Sequence, residues 1–170
     1  VSLLGTIKIH GGTSRTYPKK TMKVNLEGGI KSKYLFHPLF IKNAAYKVDN
    51  IIFNATSIDQ SGIRNFLSML MVRKFGGKTP QIGFKRIFVN GEYYGFYSTI
   101  EKVNEEFVNS AYDITSFDLL KARVGVSDLY NGNQGLELKA GSPLELVKFS
   151  EKLKERDLSY SDMSNCIDVN

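Results

Sequence analysis

The residues whose types and spacing suggest chemistry cluster in the first hundred positions, and Lys20 leads them. Thr21–Leu26 alternates, with Met22, Val24 and Leu26 on one face and Thr21, Lys23 and Asn25 on the other. That is the period-two signature of a half-buried strand. Carrying the period back two residues puts Lys20 on the apolar face. An ammonium at the open end of such a face reaches a cleft, an acidic partner or solvent by snorkelling. Lys19 and Lys23 fall on the other face and are expected in solvent. Just upstream, Gly11-Gly12-Thr13-Ser14-Arg15 makes a flexible turn that Pro18 punctuates. Its successive backbone N–H groups either cradle an anion or form an ordinary hairpin turn.

Several familiar patterns fail on their surroundings. Gly77-Lys78-Thr79 looks like the end of a phosphate-binding loop, but Val72 stands where that motif needs glycine, and Pro80 follows where a helix should. His10-Gly11-Gly12 has no G-x-S-x-G partner for an esterase site. Two histidines and the single Cys166 are a poor zinc inventory, and one cysteine forms no internal disulfide. Asn54-Ala55-Thr56 is a glycosylation sequon by pattern only.

The elements that must position these residues follow from periodicity. Strands are expected over residues 3–10, 21–26 and 48–54, with loop over 28–38. Ile63, Phe66, Leu67, Leu70 and Met71 recur at helical spacing, predicting a helix over residues 61–75 that packs on the sheet through Ile63, Phe66, Leu67 and Leu70. Ser57, Asp59 or Ser61 caps its start, and Gly76-Gly77 ends it. Arg64 sits at the border of that stripe, where it either reaches over a sheet edge or braces the helix. Strands 82–89 and 93–100 flank Asn90-Gly91, a strong two-residue hairpin signal. A polar helical turn at 103–111, a strand at 117–122, a loop at 125–135 and a helix from Ser142 to about Arg156 complete the chain. The fold class is therefore α+β, a mainly antiparallel twisted sheet with a packed helix.

The 170 residues carry a net charge of +6, unevenly spread. Residues 1–100 hold fifteen Lys/Arg against four Asp/Glu, and residues 101–170 hold eight against thirteen. The basic part is suited to phosphate-bearing partners. A composition of 42% hydrophobic and 24% charged residues excludes disordered and collagen-like chains, and no apolar run approaches a membrane span. The chain begins with Val1 and is expected to be a piece of a longer protein.

The order strand, lysine-bearing strand, helix, hairpin and a polar segment from Glu101 is also that of a protein-kinase amino-terminal lobe. The residues carry a more specific resemblance. Gly11-Gly12-Thr13-Ser14-Arg15-Thr16-Tyr17-Pro18-Lys19-Lys20 resembles the R-G-x-S-S/T-R-x-Y/F-P-K-K segment of the spore coat protein H family, the CotH kinases. Asp59 through Ile63-Arg64-Asn65 is similar to that family's D-x-(S/T)-x-(L/I)-R-N helix start. Val89-Asn90-Gly91-Glu92-Tyr93-Tyr94-Gly95-Phe96-Tyr97, with Glu101, resembles its V-N-G-E-Y-W-G-x-Y-x(3)-E hairpin. Asp118-Leu119-Leu120-Lys121 and Ile167-Asp168-Val169-Asn170 are similar to two further segments. His10 and Gly12 depart from the family's usual Arg and Asn.

The resemblance implies a kinase-like nucleotide-facing lobe over 1–123. Residues 124–170 would lead into a helical second lobe that supplies the catalytic and metal-binding carboxylates. It implies an ATP-dependent atypical kinase acting on protein Ser/Thr, with Mg²⁺, and a place in the spore coat, at the cell surface or outside the cell. Lys20, Ser14, Arg15, Arg64 and Glu101 are then the nucleotide-binding candidates, with no catalytic or metal residue expected in this chain. Glu101 would orient the lysine or close the hinge; otherwise it is an exposed strand-end carboxylate. A non-catalytic coat or surface module on the same scaffold is the alternative. A basic nucleic-acid-binding domain is the weaker one, so nucleic acid is not the expected partner.

Overall fold

The computed structural model describes residues 3–122 and 136–142, with positions 147, 148, 151, 159 and 161. The chain divides into two compact units, Val1–Val103 and Asn104–Asn170.

The first unit is a five-stranded sheet: β1 (Gly5–Ile9), β2 (Met22–Lys31), β3 (Lys47–Asn54), β4 (Ile82–Val89) and β5 (Glu92–Glu101). The strands run in the order β1-β2-β3-β5-β4, and every neighbouring pair is antiparallel. The β4–β5 hairpin forms where expected. Asn90 and Gly91 have φ of 52° and 88°, the paired positive values of a tight hairpin turn that matches strand twist.

β2 runs further than its alternation suggests. Gly28 and Gly29, at φ of 74° and 62°, were expected to begin a loop. They instead carry the strand through an irregularity, and pairing with β3 resumes at Ile30 opposite Val48. Glycine absorbs the local strain, and the ladder continues beyond it.

Directly opposed residues share a sheet face. Ile7, Val24, Ile51 and Glu101 form one such row, and Lys8, Lys23, Ile52, Ile100 and Ile82 form the adjoining row on the other face. The main core cluster buries Leu35, Phe36, Val48 and Ile51 against Leu26, Ile30, Ile41, Tyr46 and Phe53, with Ile51 on the first of these faces. Residues 35–37 lie tight on the sheet. Thr99 Oγ1 donates to Leu35 O at 2.7 Å, His37 N donates to Ile82 O at 2.8 Å, and a Cβ on Gly83 would stand 2.5 Å from Leu35 O.

The helix α1 (Arg64–Lys74) packs through Phe66 and Leu70 as expected, but not through Ile63 and Leu67. Phe66 is its hub, with ring centroids 5.1 Å from His37, 5.2 Å from Phe40 and 5.4 Å from Phe84. Phe66, Met69, Leu70 and Arg73 are half-buried, whereas Ile63, Leu67 and Met71 are exposed. The physical reason is Arg73. Its Nη1 donates to Phe40 O at 2.8 Å and its guanidinium stacks 5.1 Å from the Phe40 ring, so the inward stripe ends on a cation that the apolar count passes over.

In the second unit, α2 (Glu105–Tyr112) starts at Asn104, whose side chain accepts from Phe107 N. It stops at Asp113, which is left-handed at φ 58°. The expected strand forms as β6 (Leu119–Ala122) and pairs with β7 (Leu136–Ala140), a partner the sequence reading did not anticipate. Asp118 Oδ1 accepts from Ser142 N beside it. Val147, Lys148 and Glu151 are helical. The rest of the helix expected to Arg156, the loop at 125–135, the boundary at 123/124, Cys166 and the motif at 167–170 lie outside the described residues. Among the described residues no helix is long and apolar enough to cross a membrane.

Candidate functional site

The loop from β1 to β2 folds into a compact turn. His10 N donates to Thr21 O at 2.8 Å, and Thr13–Arg15 forms a 3₁₀ turn closed by Arg15 N to Gly12 O. Ser14 Oγ donates to His10 O at 3.3 Å, leaving no room for a side chain at Gly11, where a Cβ would collide with Ser14 Oγ at φ +104°. Lys20 Nζ donates to Arg15 O at 2.8 Å, so the lysine braces the turn it follows.

This turn forms one wall of a cleft of about 220 Å³. Ser14, Tyr17 and Thr21 line it from the loop side, Asn54, Thr56, Ser57, Ile58 and Asp59 from the end of β3, and Asn65 from α1. The β3 side is held in place locally. Asn54 Oδ1 accepts from Thr56 N at 2.9 Å, which sits at a positive φ of 51°, and Ser57 Oγ donates to Lys19 O at 3.2 Å. Asp59 organises the start of α1. Its carboxylate accepts from Ser61 Oγ at 2.6 Å and from Arg64 N at 2.9 Å, and lies 3.4 Å from Arg64 Nε. The Ser61 hydroxyl foremost, then the Arg64 N–H, hold that carboxyl below its usual range.

Four of the five candidates gather here. Ser14 lines the cleft, Arg15 adjoins it in sequence, Lys20 is bonded to Arg15, and Arg64 is paired with the lining Asp59. Glu101 does not join them. It lies in the Ile51 row of the other sheet face, only 5% exposed. Its Oε2 accepts from Gln81 N at 3.0 Å. Burial pushes its carboxyl upward, opposed by the Gln81 N–H and side chain, by Tyr46 and by Arg73.

Lys19 corrects an expectation. It was placed in solvent, yet Nζ donates to Ala55 O at 3.0 Å and to Phe96 O. It also stands 4.4 Å over the ring of Tyr97, which is fully buried. The alternation argument fails because β2 begins only at Met22, so the residues before it do not keep the strand's period. Burial lowers the Lys19 pKa.

Sequence reasoning does not name Thr21, Asn54, Thr56, Ser57 or Asn65 as site residues: Asn54 and Thr56 read only as a sequon, Ser57 only as a helix cap and Asn65 only as part of the helix-start motif. Among the described residues no three His, Cys, Asp or Glu side chains come together to hold a metal ion. The cleft offers an anion neutral donors from hydroxyls and amides, with Arg15 next to the lining Ser14, Lys20 bonded to the Arg15 carbonyl and Arg64 paired with the lining Asp59. No curated protein matches the chain. Residues 7–169 match the family described as CotH kinase protein, nearly the whole length, and the chain belongs to the CotH kinase family.

Proposed function

We propose that the chain is the nucleotide-facing part of a CotH-type atypical protein kinase, which transfers the γ-phosphoryl group of ATP to protein Ser/Thr hydroxyls. Its polar cleft takes the phosphates. The observation that carries this reading is the meeting of the Ser14–Arg15 turn, braced by Lys20, with the Asn54–Asp59 segment and the Arg64–Asn65 helix start. At about 220 Å³ the cleft is smaller than the roughly 300–1,000 Å³ of a pocket for a drug-sized ligand, a size suited to phosphate groups rather than a whole nucleotide.

The order of elements supports the same reading, since kinase lobes use the loop between their first two strands to cover phosphates. One part differs. Ordinary kinases pair a strand lysine with a helix glutamate, whereas α1, RNFLSMLMVRK, has no acidic residue. The cations of the loop and of the α1 start then do the charge matching by themselves. On this proposal residues 1–123 form the nucleotide-facing lobe and 124–170 lead into a second lobe. Mg²⁺ would neutralise phosphate charge when bound; the described residues offer it no ligand cluster, and no step is assigned to it here.

Transfer of label from γ-labelled ATP to a Ser/Thr protein tests this, in a chain continued through the helical lobe that the family resemblance implies. Lys20→Ala should lower transfer by at least about tenfold, because positioning and preorganised charge supply most of such catalysis. Lys31→Ala, an exposed lysine at the end of β2, should leave it unchanged. Equal rates for both variants would overturn the reading.

A further inference from the structure

The sheet face that carries Asn54 holds a second concentration of charge. Lys8 on β1 stands directly opposite Lys23 on β2, and Lys23 opposite Ile52, which faces Ile100 on β5. Lys102 follows two residues beyond Ile100, its N–H directed to Asn50 O at 3.4 Å. Burial foremost, then the charges of Lys102 and Lys8, lower the Lys23 pKa. Three lysines from three neighbouring segments thus lie on one side of the sheet, with Asn25 and Asn50 forming the next opposed pair along.

Like charges placed opposite each other on a sheet are destabilising. Lys31 opposite Lys47 is the instructive contrast. Those two are both exposed, where solvent screens them, whereas Lys23, opposite the exposed Lys8, is half-buried, as is Lys102. Asp49 offsets part of the charge at Lys23, but its Oδ1 already accepts from Asn50 Nδ2 at 2.8 Å. A multiply charged anion would relieve the repulsion and take up donors that the three ammonium groups and two amides present. Ile52 precedes the cleft residue Asn54 by two positions, about 7 Å along the strand.

We propose that Lys8, Lys23 and Lys102 form an anion site for a polyphosphate chain at the β1–β2 side of this sheet face, distinct from the cleft at Ser14. The site stands without the kinase reading, since it requires anion binding and no transfer.

Titration of the 170-residue chain with inorganic tripolyphosphate and with ATP at one ionic strength tests it. Lys23→Met, Lys8→Met and Lys102→Met should each weaken tripolyphosphate binding about tenfold, the loss expected of one close charge contact. Lys31→Met should change it less than about twofold, as a screened surface charge does. Lys23→Arg should retain binding. Without anion, Lys23→Met should melt higher than the parent, which a merely structural lysine would not produce. A parallel loss of ATP affinity supports the site with a nucleotide as its source. Loss confined to tripolyphosphate supports it with an inorganic chain. Equal losses at Lys23 and Lys31, or a Lys23→Met variant that melts lower and binds as the parent does, would overturn it.

Discussion

Lys19 and Lys20 are neighbours with the same side chain and opposite surroundings. Lys19 lies against the Tyr97 ring and donates to the carbonyls of Ala55 and Phe96, tying the loop to the sheet. Lys20 stays at the turn, bonded to Arg15 O. Lys19→Met should therefore lower the urea-unfolding free energy by about 1–3 kcal/mol, the usual cost of stranding partly buried acceptors. Lys20→Met should cost well under that, and equal losses would contradict the distinction. Glu101 makes a second test. Its folded pKa lies above the ordinary glutamate value because of burial, so the folded state keeps its proton to higher pH than the unfolded chain does. Its contribution is fully present below the unfolded pKa and is lost as pH rises through the raised folded one. Glu101→Gln fixes the neutral form, so its urea midpoint, relative to that of the parent, should climb as pH rises through that window. A constant difference would refute the assignment. Ser14, Arg15 and Arg64 stand out in the sequence because the loop and the helix start carry the family's patterns. The anchoring role of Lys19 does not, since its partners come from the end of β3 and from β5, and no local period points to them.

The same limit operates on whole elements. Asn90-Gly91 announces its hairpin because the turn's positive φ values require such residues, and nothing distant competes. The helix α1 is different. Ile63, Leu67 and Met71 make a stripe as good by spacing as Phe66, Met69 and Leu70, and only the aromatic cluster of His37, Phe40 and Phe84 decides between them. The late part of β2 was missed for a related reason: Gly28-Gly29 reads as a stop until β3 supplies Val48 as the partner for Ile30. The α1 assignment is testable by truncation. Phe66→Ala should cost about 3 kcal/mol, near the lower end for a phenylalanine in a core because the side chain is only half-buried. Leu67→Ala, 47% exposed, should cost less than about 1 kcal/mol. A larger loss at Leu67 would mean that the helix packs the other way round.

At the scale of the molecule, the α+β class and the antiparallel sheet followed from period-two runs and one amphipathic helix, and the family from motifs spread along the chain. The cleft did not follow. It is assembled from three segments brought together by the sheet, and four of its nine lining residues belong to the stretch after β3 that by itself reads as ordinary loop. The proposed function requires that those segments bind phosphate together. Equilibrium binding of a fluorescent ATP analogue to the 170-residue chain, at fixed ionic strength, measures this most directly. We expect saturable binding that Lys20→Ala weakens roughly tenfold, as loss of one close charge contact would, and that Lys31→Ala alters by less than about twofold. Absence of saturable binding, or equal losses at Lys20 and Lys31, would contradict the account.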